Sequence, residues 1–555
     1  MRNKIKFLSL SLVALLMAFA VLSGCSKDSA GGDSKSGDNG GSKDSGNTSE
    51  SGFVLGEDEL EYTMYGHYDW YTMPPWGEDL ATKWIKENKK VNVVPVSSGG
   101  NAAQKFNTMI VGNDLPDVMW LDRNADLDRL READMLVPLD EYIEKYPNIK
   151  EWVGESTLNM LRAEDGHVYA IPNWYTTQPN GNSGYVVNEK IYKELGSPKL
   201  ETTDDLYAYL KQVKEKYPDV VPFEAGQGGG LDVLYSAFAE EHPNLFMSNH
   251  FVPNGDKLSS IFTDPVFREA MVYMNKLYSE RLISQDTLTQ TAEQVKEKVV
   301  TGKIAIFADS SPTEHGSLAH TELQSQDPDA GMKMIWPIHK EGLNKEKITP
   351  GTWSQLGWNV SVITKAAKNP EAIFAFLDWM VGPEGQRTIF WGPEGLYWDG
   401  TQAVEGIAEA PVFTDKYLTD VENLSKLMNT TNSFQWVGNT VYIDKSKTAF
   451  EMTLPEEQQN WDTRYQMSIT WKTQMNSTEF QNLSPLPETE EGMAEQRVNE
   501  IYDEARAKAL HAKSEEEVLK ILDQAEKDAQ AVGYDKMLEY KTQKWQDNKA
   551  KMAGN

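Results

Sequence analysis

Short runs of β-branched and aromatic residues alternate along this chain with stretches whose apolar positions recur at helical spacing. From residue 60 the order is strand (60–64), helix (80–87, with Leu80, Trp84 and Ile85 on one face), strand (91–96), helix (105–111) and strand (117–121). Turn-rich segments then lead into a strand near 168–171 and another at 184–188, followed by a helix over 190–195. Alternation of this kind predicts βαβ units and an open, mostly parallel sheet. Thr202 and Asp205 form a capping box at the start of a helix reaching Lys216, and 302–308 is a buried strand ending at Asp309. The run 360–364 is a further strand. Asn369 and Pro370 then open an apolar helix over 371–381, closed by Gly382-Pro383. The tail from 490 to about 546 is charged and helical without a sustained heptad, with a second capping box at Ser514 and Glu517. It predicts helices laid on a larger body.

The amino-terminal pattern is different. Arg2, Lys4 and Lys6 precede an apolar stretch from Phe7 to Val21, then small residues around Gly24, the order of a secretory signal over 1–24. The apolar run is too short to span a bilayer comfortably. Leu22-Ser23-Gly24-Cys25 resembles the lipobox of bacterial lipoproteins, in which the cysteine is acylated, with palmitate for example, and becomes the new amino terminus. Cys25 is the chain's only cysteine, so no disulfide is expected, and residues 25–52 form a Ser/Gly/Asp/Lys tether that cannot bury a core. A net charge of −30 argues against nucleic acid or anionic headgroups as partners. About 500 residues beyond the tether imply two or more globular units.

Leu115-Pro116-Asp117-Val118, the 165–172 segment, Gly302-Lys303-Ile304-Ala305, Asn369-Pro370-Glu371-Ala372, Trp391-Gly392-Pro393-Glu394-Gly395-Leu396 and Gly533-Tyr534-Asp535-Lys536-Met537-Leu538 occur together and in order. With the lipobox, they resemble the family 1 extracellular solute-binding lipoproteins of bacterial carbohydrate ABC importers. The resemblance implies an α/β, two-lobed, periplasmic-binding-protein-like (type II) fold with a hinge and extra C-terminal helices. It suggests an N-lobe of 53–173 plus 353–400 and a C-lobe of 174–351 plus 401–555. It also implies a monomeric receptor, lipid-anchored at the outer face of the cell membrane, that delivers a carbohydrate, an oligosaccharide, to ABC permease subunits. Many family members carry a calcium loop after the helix that here reaches Lys216. Tyr217-Pro218-Asp219-Val220-Val221-Pro222-Phe223 lacks the clustered oxygen ligands of such a site, so no metal or cofactor is expected.

Sugars present flat apolar faces edged with hydroxyls, so aromatic platforms beside planar polar groups are the candidate chemistry. In open sheets ligands bind beyond the carboxyl ends of strands. That rule selects Asp69 and Trp70 after the first strand, Asp122 and Arg123 after the third, Trp174 and Tyr175 at a proposed crossover, and Asp309. Trp353 precedes the return into the N-lobe, and Trp391, Trp398 and Trp436 lie in Gly-rich surroundings. Enzyme signatures are weak. Gly226-Gln227-Gly228-Gly229-Gly230 lacks the Lys-Ser/Thr of a phosphate loop, and the histidines lack zinc-protease spacing. The expectation is a binding protein, with a peptide or other polar solute as the alternative ligand and a surface glycoside-degrading enzyme as the alternative class.

Overall fold

A computed structural model describes residues 53–226 and 230–553; the signal, Cys25 and the tether lie outside the described residues. Two sheets organise it. The first has strands Leu60–Gly66, Val91–Val96, Val118–Asp122, Asn359–Ile363 and Ala170–Asn173. Leu60–Gly66 runs parallel to Val91–Val96 on one side and to Val118–Asp122 on the other. Asn359–Ile363 is antiparallel to both Val118–Asp122 and Ala170–Asn173. The second sheet, ordered Met332–Ile335, Gly184–Asn188, Ile304–Asp309, Val221–Ala225, has one parallel pair, its last two strands. Both sheets are therefore mixed, where helix–strand alternation predicted mostly parallel ones. Alternation constrains only strands joined through a helix, and Asn359–Ile363 arrives from the other sheet's side of the molecule.

Alternate residues of each strand face opposite layers, as a period of two requires. In the first sheet Tyr62, Met64, Val118 and Trp120 join one core, and Tyr65, Met119, Leu121, Val360 and Val362 the other. In the second, Tyr185, Val187 and Ile306 pack with one cluster, and Val186, Phe307, Met332 and Met334 with its opposite. Both faces of both sheets are buried, so the strands read as near-continuous apolar runs.

Local signals position the helices. Asp79 accepts from the Ala81 and Thr82 amides and opens Leu80–Asn88. The Thr202–Asp205 capping box is formed reciprocally at Thr203–Lys216, and Asn369 accepts from Ala372 N–H at Pro370–Val381. Ser514 likewise accepts from Glu517 N–H, but the Glu517 carboxylate takes the N–H of Lys513 instead of Ser514, so this box closes one residue early.

The stretch 401–451, expected with the second body, packs on the first. Phe434, Trp436, Val437 and Val441 share a core with Leu60, Val91 and Phe376, while Ile407, Leu424 and Leu427 enclose Trp391 and Trp398. Amphipathic elements such as the hairpin Trp398–Val404/Ile407–Phe413 would fit either body, and periodicity does not say which. From Trp461 on, the chain packs with the second sheet: the Trp461 indole donates to Met332 O at 2.9 Å. Helices Glu490–Leu510, Glu515–Ala531 and Tyr534–Met552 bury Val498, Tyr502, Val518, Leu522, Tyr534 and Met537 in that body's core. The chain thus passes between the two bodies three times, near 174–183, 336–358 and 452–460.

Candidate functional site

The parallel strands Leu60–Gly66 and Val118–Asp122 end at one edge of the first sheet. Because Asn359–Ile363 runs antiparallel, its amino end lies at that same edge, with Asn359 in register with Asp122 and Asn173. Asn359, fully buried, joins all three elements. Its Oδ1 accepts from the Trp120 indole and from Asn173 Nδ2, each at 2.9 Å, and its Nδ2 donates to the Tyr68 hydroxyl at 2.8 Å. Tyr68 in turn donates to Asp122 Oδ1 at 2.6 Å. Burial, and then the carboxylate of Asp122, raise the Tyr68 pKa, which keeps the hydroxyl protonated as a donor. A buried polar network whose members all find partners in this way holds them in one arrangement.

On this base sit two exposed indoles. Trp70 is 63% exposed and Trp358 48%, and their rings stack at 6.1 Å and 18°. The Tyr68 ring lies 5.1 Å from Trp70 and 5.5 Å from Trp358, and the buried Trp120 meets Trp358 edge-on at 5.5 Å. Large aromatics left in water on a rigid support mark a recognition surface.

Arg123 holds the turn that presents Trp358. Its guanidinium donates to Leu356 O and Gly357 O, both at 2.9 Å, and to Gln481 Oε1 at 3.2 Å. Burial lowers its pKa to about 10, with Asp122 opposing the shift. Gly357 has φ +65°, and a Cβ there would stand 2.1 Å from Asn173 O, so this turn requires glycine. Trp358 N–H closes it by donating to Asn173 O at 3.0 Å.

The next residue along the crossover is strained: Trp174 takes φ +58°. Its N–H donates to Gly438 O at 2.9 Å, and its ring lies where a Gly438 side chain would be. On the second body, Asp309 ends its strand with Oδ1 accepting from Ser310 N–H at 2.8 Å, and burial pushes its carboxyl up to about 6. Gly226 lies so close that a Cβ would meet Asp309 Oδ2 at 2.0 Å. Between helices Thr440–Glu451 and Trp461–Ser468, beneath Gln178 and Pro179, runs an open crevice of about 770 Å³.

The expected site residues divide accordingly. Trp70, Asp122 and Arg123 come together at the sheet edge. Asp69 is beside them, with Oδ1 accepting from Ala102 N–H at 2.6 Å and so occupied at the start of helix Ala102–Gly112. Trp174 borders the same crossover, and Trp353 is half-buried in the parallel pairing of Gly351–Trp353 with Gln474–Asn476. Tyr175, Trp391, Trp398 and Trp436 are buried in hydrophobic clusters and have no surface to offer a ligand. Trp436 stacks on Trp76 at 5.9 Å, and the Trp398 indole donates to Gly392 O. Gly-rich neighbours suggested exposed loops, but the elements they join fold over these rings. Trp358 was not foreseen. Its signal was present in its place just before a strand, which matters once that strand is antiparallel.

A family model for bacterial extracellular solute-binding proteins matches residues 72–387. Lipoprotein LipO of Bacillus subtilis is 29% identical over 322 residues, 55% of this chain and 60% of that protein, so the match spans less than two thirds of its length. The polygalacturonan/rhamnogalacturonan-binding protein YtcQ of the same organism is 23% identical over 403 residues, 69% of this chain and 74% of that one. Among solved structures, the Streptococcus pneumoniae ABC-transporter substrate-binding protein FusA, in complex with kestose, superposes with a TM-score of 0.65 at 18% identity, covering 89% of this chain and all of that one. The alginate-binding protein AlgQ2 gives 0.62 at 18% identity, covering 88% and 98%. At such identities the likeness is one of fold, the two-domain fold of periplasmic solute-binding proteins. With the family model spanning more than half its length, the chain belongs to the bacterial extracellular solute-binding protein family.

Proposed function

We propose that this protein is a receptor that captures an oligosaccharide between two lobes and delivers it to an ABC permease, without chemical turnover. The observation that carries the reading is the stacked, exposed pair Trp70 and Trp358 on the Asn359 network. A pyranose face buries apolar C–H surface on an indole, while its hydroxyls meet neighbouring polar groups. Kestose and alginate as ligands of fold neighbours, and the pectic polysaccharides of YtcQ, favour a carbohydrate over a peptide. One lobe is built on the five-stranded sheet and the other on the four-stranded sheet. Three chain crossings between them suit hinge closure on a ligand, and a permease would then select the closed form. Lipidation of Cys25, with 25–52 as a leash, would keep the receptor at the outer membrane face beside its transporter.

Thermal-shift screening against oligosaccharides, followed by calorimetry on the hits, tests the function. A ligand that raises the melting temperature and is recovered intact supports it. Release of reducing sugar would establish the enzyme instead, and stabilisation by peptides alone would replace the ligand class. A Cys25→Ala protein should appear in the medium with its binding unchanged.

A further inference from the structure

We propose that the crevice between helices Thr440–Glu451 and Trp461–Ser468 binds a carboxylate-bearing sugar unit, making this receptor selective for acidic over neutral oligosaccharides. The inference rests on the carbohydrate reading above and adds to it the charge of the ligand and a second place where it is held.

The crevice is formed by one helix packed on the first sheet's body and one packed on the second's, with Gln178 of the crossover over it. Its crossover starts beside the indole platform: Asn173 O accepts from Trp358 N–H, and Gln178 follows five residues on. A chain of sugars lying along the crossover would meet both. The crevice volume of about 770 Å³ is in the range of small-molecule sites.

Its chemistry departs from that of the rest of the molecule. The chain carries a net charge of −30, yet the crevice is lined by two cations, Lys445 and Arg464, against one carboxylate, Glu456. Among the described residues no ion pair or side-chain hydrogen bond engages the Lys445 ammonium, which lies against Gly406. Arg464 lies over the Tyr465 ring at 4.7 Å and reaches the exposed Glu456 only at 3.8 Å, which is longer than a hydrogen bond, and its buried Nε has no partner. The buried indole N–H of Trp471, another lining residue, is also unpartnered. Unpaired buried donors cost free energy unless a ligand takes them up. Tyr465 and Met452 supply apolar surface, with Met452 72% exposed, so the crevice offers stacking area together with unused positive charge. The indole platform differs: Asp69 and Asp122 flank it, and the terminal nitrogens of Arg123 beside them donate to backbone carbonyls and Gln481, leaving only its buried Nε unpartnered. Acidic recognition therefore belongs to the crevice and not to the platform. A planar guanidinium with a nearby ammonium matches a carboxylate by charge and by hydrogen-bond geometry.

The test is calorimetry of the full-length mature protein with trigalacturonate and with its methyl ester, which keeps the sugar and removes the charge. Trigalacturonate should bind at least about tenfold more tightly than the ester, the size expected for a charge-assisted hydrogen bond, and this preference should shrink as salt is raised. Lys445→Gln and Arg464→Gln should each erase most of the preference while leaving ester binding in place, and Lys445→Arg should retain it, which separates lost charge from lost folding. Trp70→Ala should weaken both probes. Equal affinity for the two probes, or a preference unaltered in both glutamine variants, would overturn the crevice assignment and leave the carbohydrate reading standing. If neither probe nor any neutral oligosaccharide binds, both fail together.

Discussion

Trp70 and Trp358, far apart in sequence, stack face to face at 6.1 Å at the mouth of the first sheet and leave about half of each indole in water. One follows a strand that ends at this edge and the other precedes a strand that begins there. Their stacking holds the exposed part of each ring in a fixed orientation. Truncating either should remove sugar contact at little cost to the fold, because the exposed face makes no core contact. Trp70→Ala or Trp358→Ala is expected to lower oligosaccharide affinity by about tenfold or more, as burial of one aromatic face is worth about 1.5–3 kcal/mol. The melting temperature should change little. Calorimetry and thermal melts read the two effects separately.

Asn359 should behave in the opposite way, since nothing of it reaches solvent. Asn359→Leu leaves the Trp120 indole, Asn173 and the Tyr68 hydroxyl without their shared partner. A buried polar group so orphaned costs about 1–3 kcal/mol, so urea unfolding should show a loss of at least that size. Binding should fall too, because Tyr68 supports both exposed indoles. A variant of native stability would show that the network is dispensable.

How much of this could be read beforehand depends on whether the signal was local. Capping at Thr202 and Asn369 was legible because each cap lies within three residues of its partner amide. Asp122 and Trp70 were legible because a strand's end points its following residues at the ligand edge. Trp358 was not, because the rule favours residues after strands and only tertiary pairing reveals that Asn359–Ile363 runs in reverse. Trp391, Trp398 and Trp436 were misleading for a related reason: glycines beside them signal turns, but burial is decided by what folds over the turn. Nor could periodicity choose which body the 401–451 segment would cover.

Asp309 predicts a dependence on pH. Burial raises its carboxyl to about 6, above the ordinary value of 3.8, so between these values the folded protein holds a proton that the unfolded chain has released. Stability from this group is therefore present below about pH 4 and is lost as pH rises through about 6, by about 2–3 kcal/mol at most. Asp444 and Asp462 are also pushed to about 6 by burial, with Lys447 opposing the shift in both, and act with the same sign. Replacing Asp309 by Asn removes one share of the slope. Urea denaturation at pH 4 and pH 7.5 should show the variant gaining on the parent protein at the higher pH; an identical difference at both would place the Asp309 pKa near its ordinary value.

Arg123 tests whether a cation at the sheet edge serves the ligand or the protein. It follows a strand and stands beside Asp122, as a ligand residue should, yet its donors go to Leu356 O, Gly357 O and Gln481 Oε1. Lysine keeps the charge but cannot reproduce a planar fork across two adjacent carbonyls. Arg123→Lys is therefore expected to loosen the 356–358 turn, lowering the melting temperature and, by displacing Trp358, weakening oligosaccharide binding. Because the lost partners are neutral, the salt dependence of binding should match that of the parent protein. Were Arg123 paired with a charged ligand, lysine would preserve much of the affinity and the fold would be untouched. A normal melting temperature with retained, salt-sensitive binding would thus assign Arg123 to the ligand, and the opposite combination assigns it to the turn that carries Trp358.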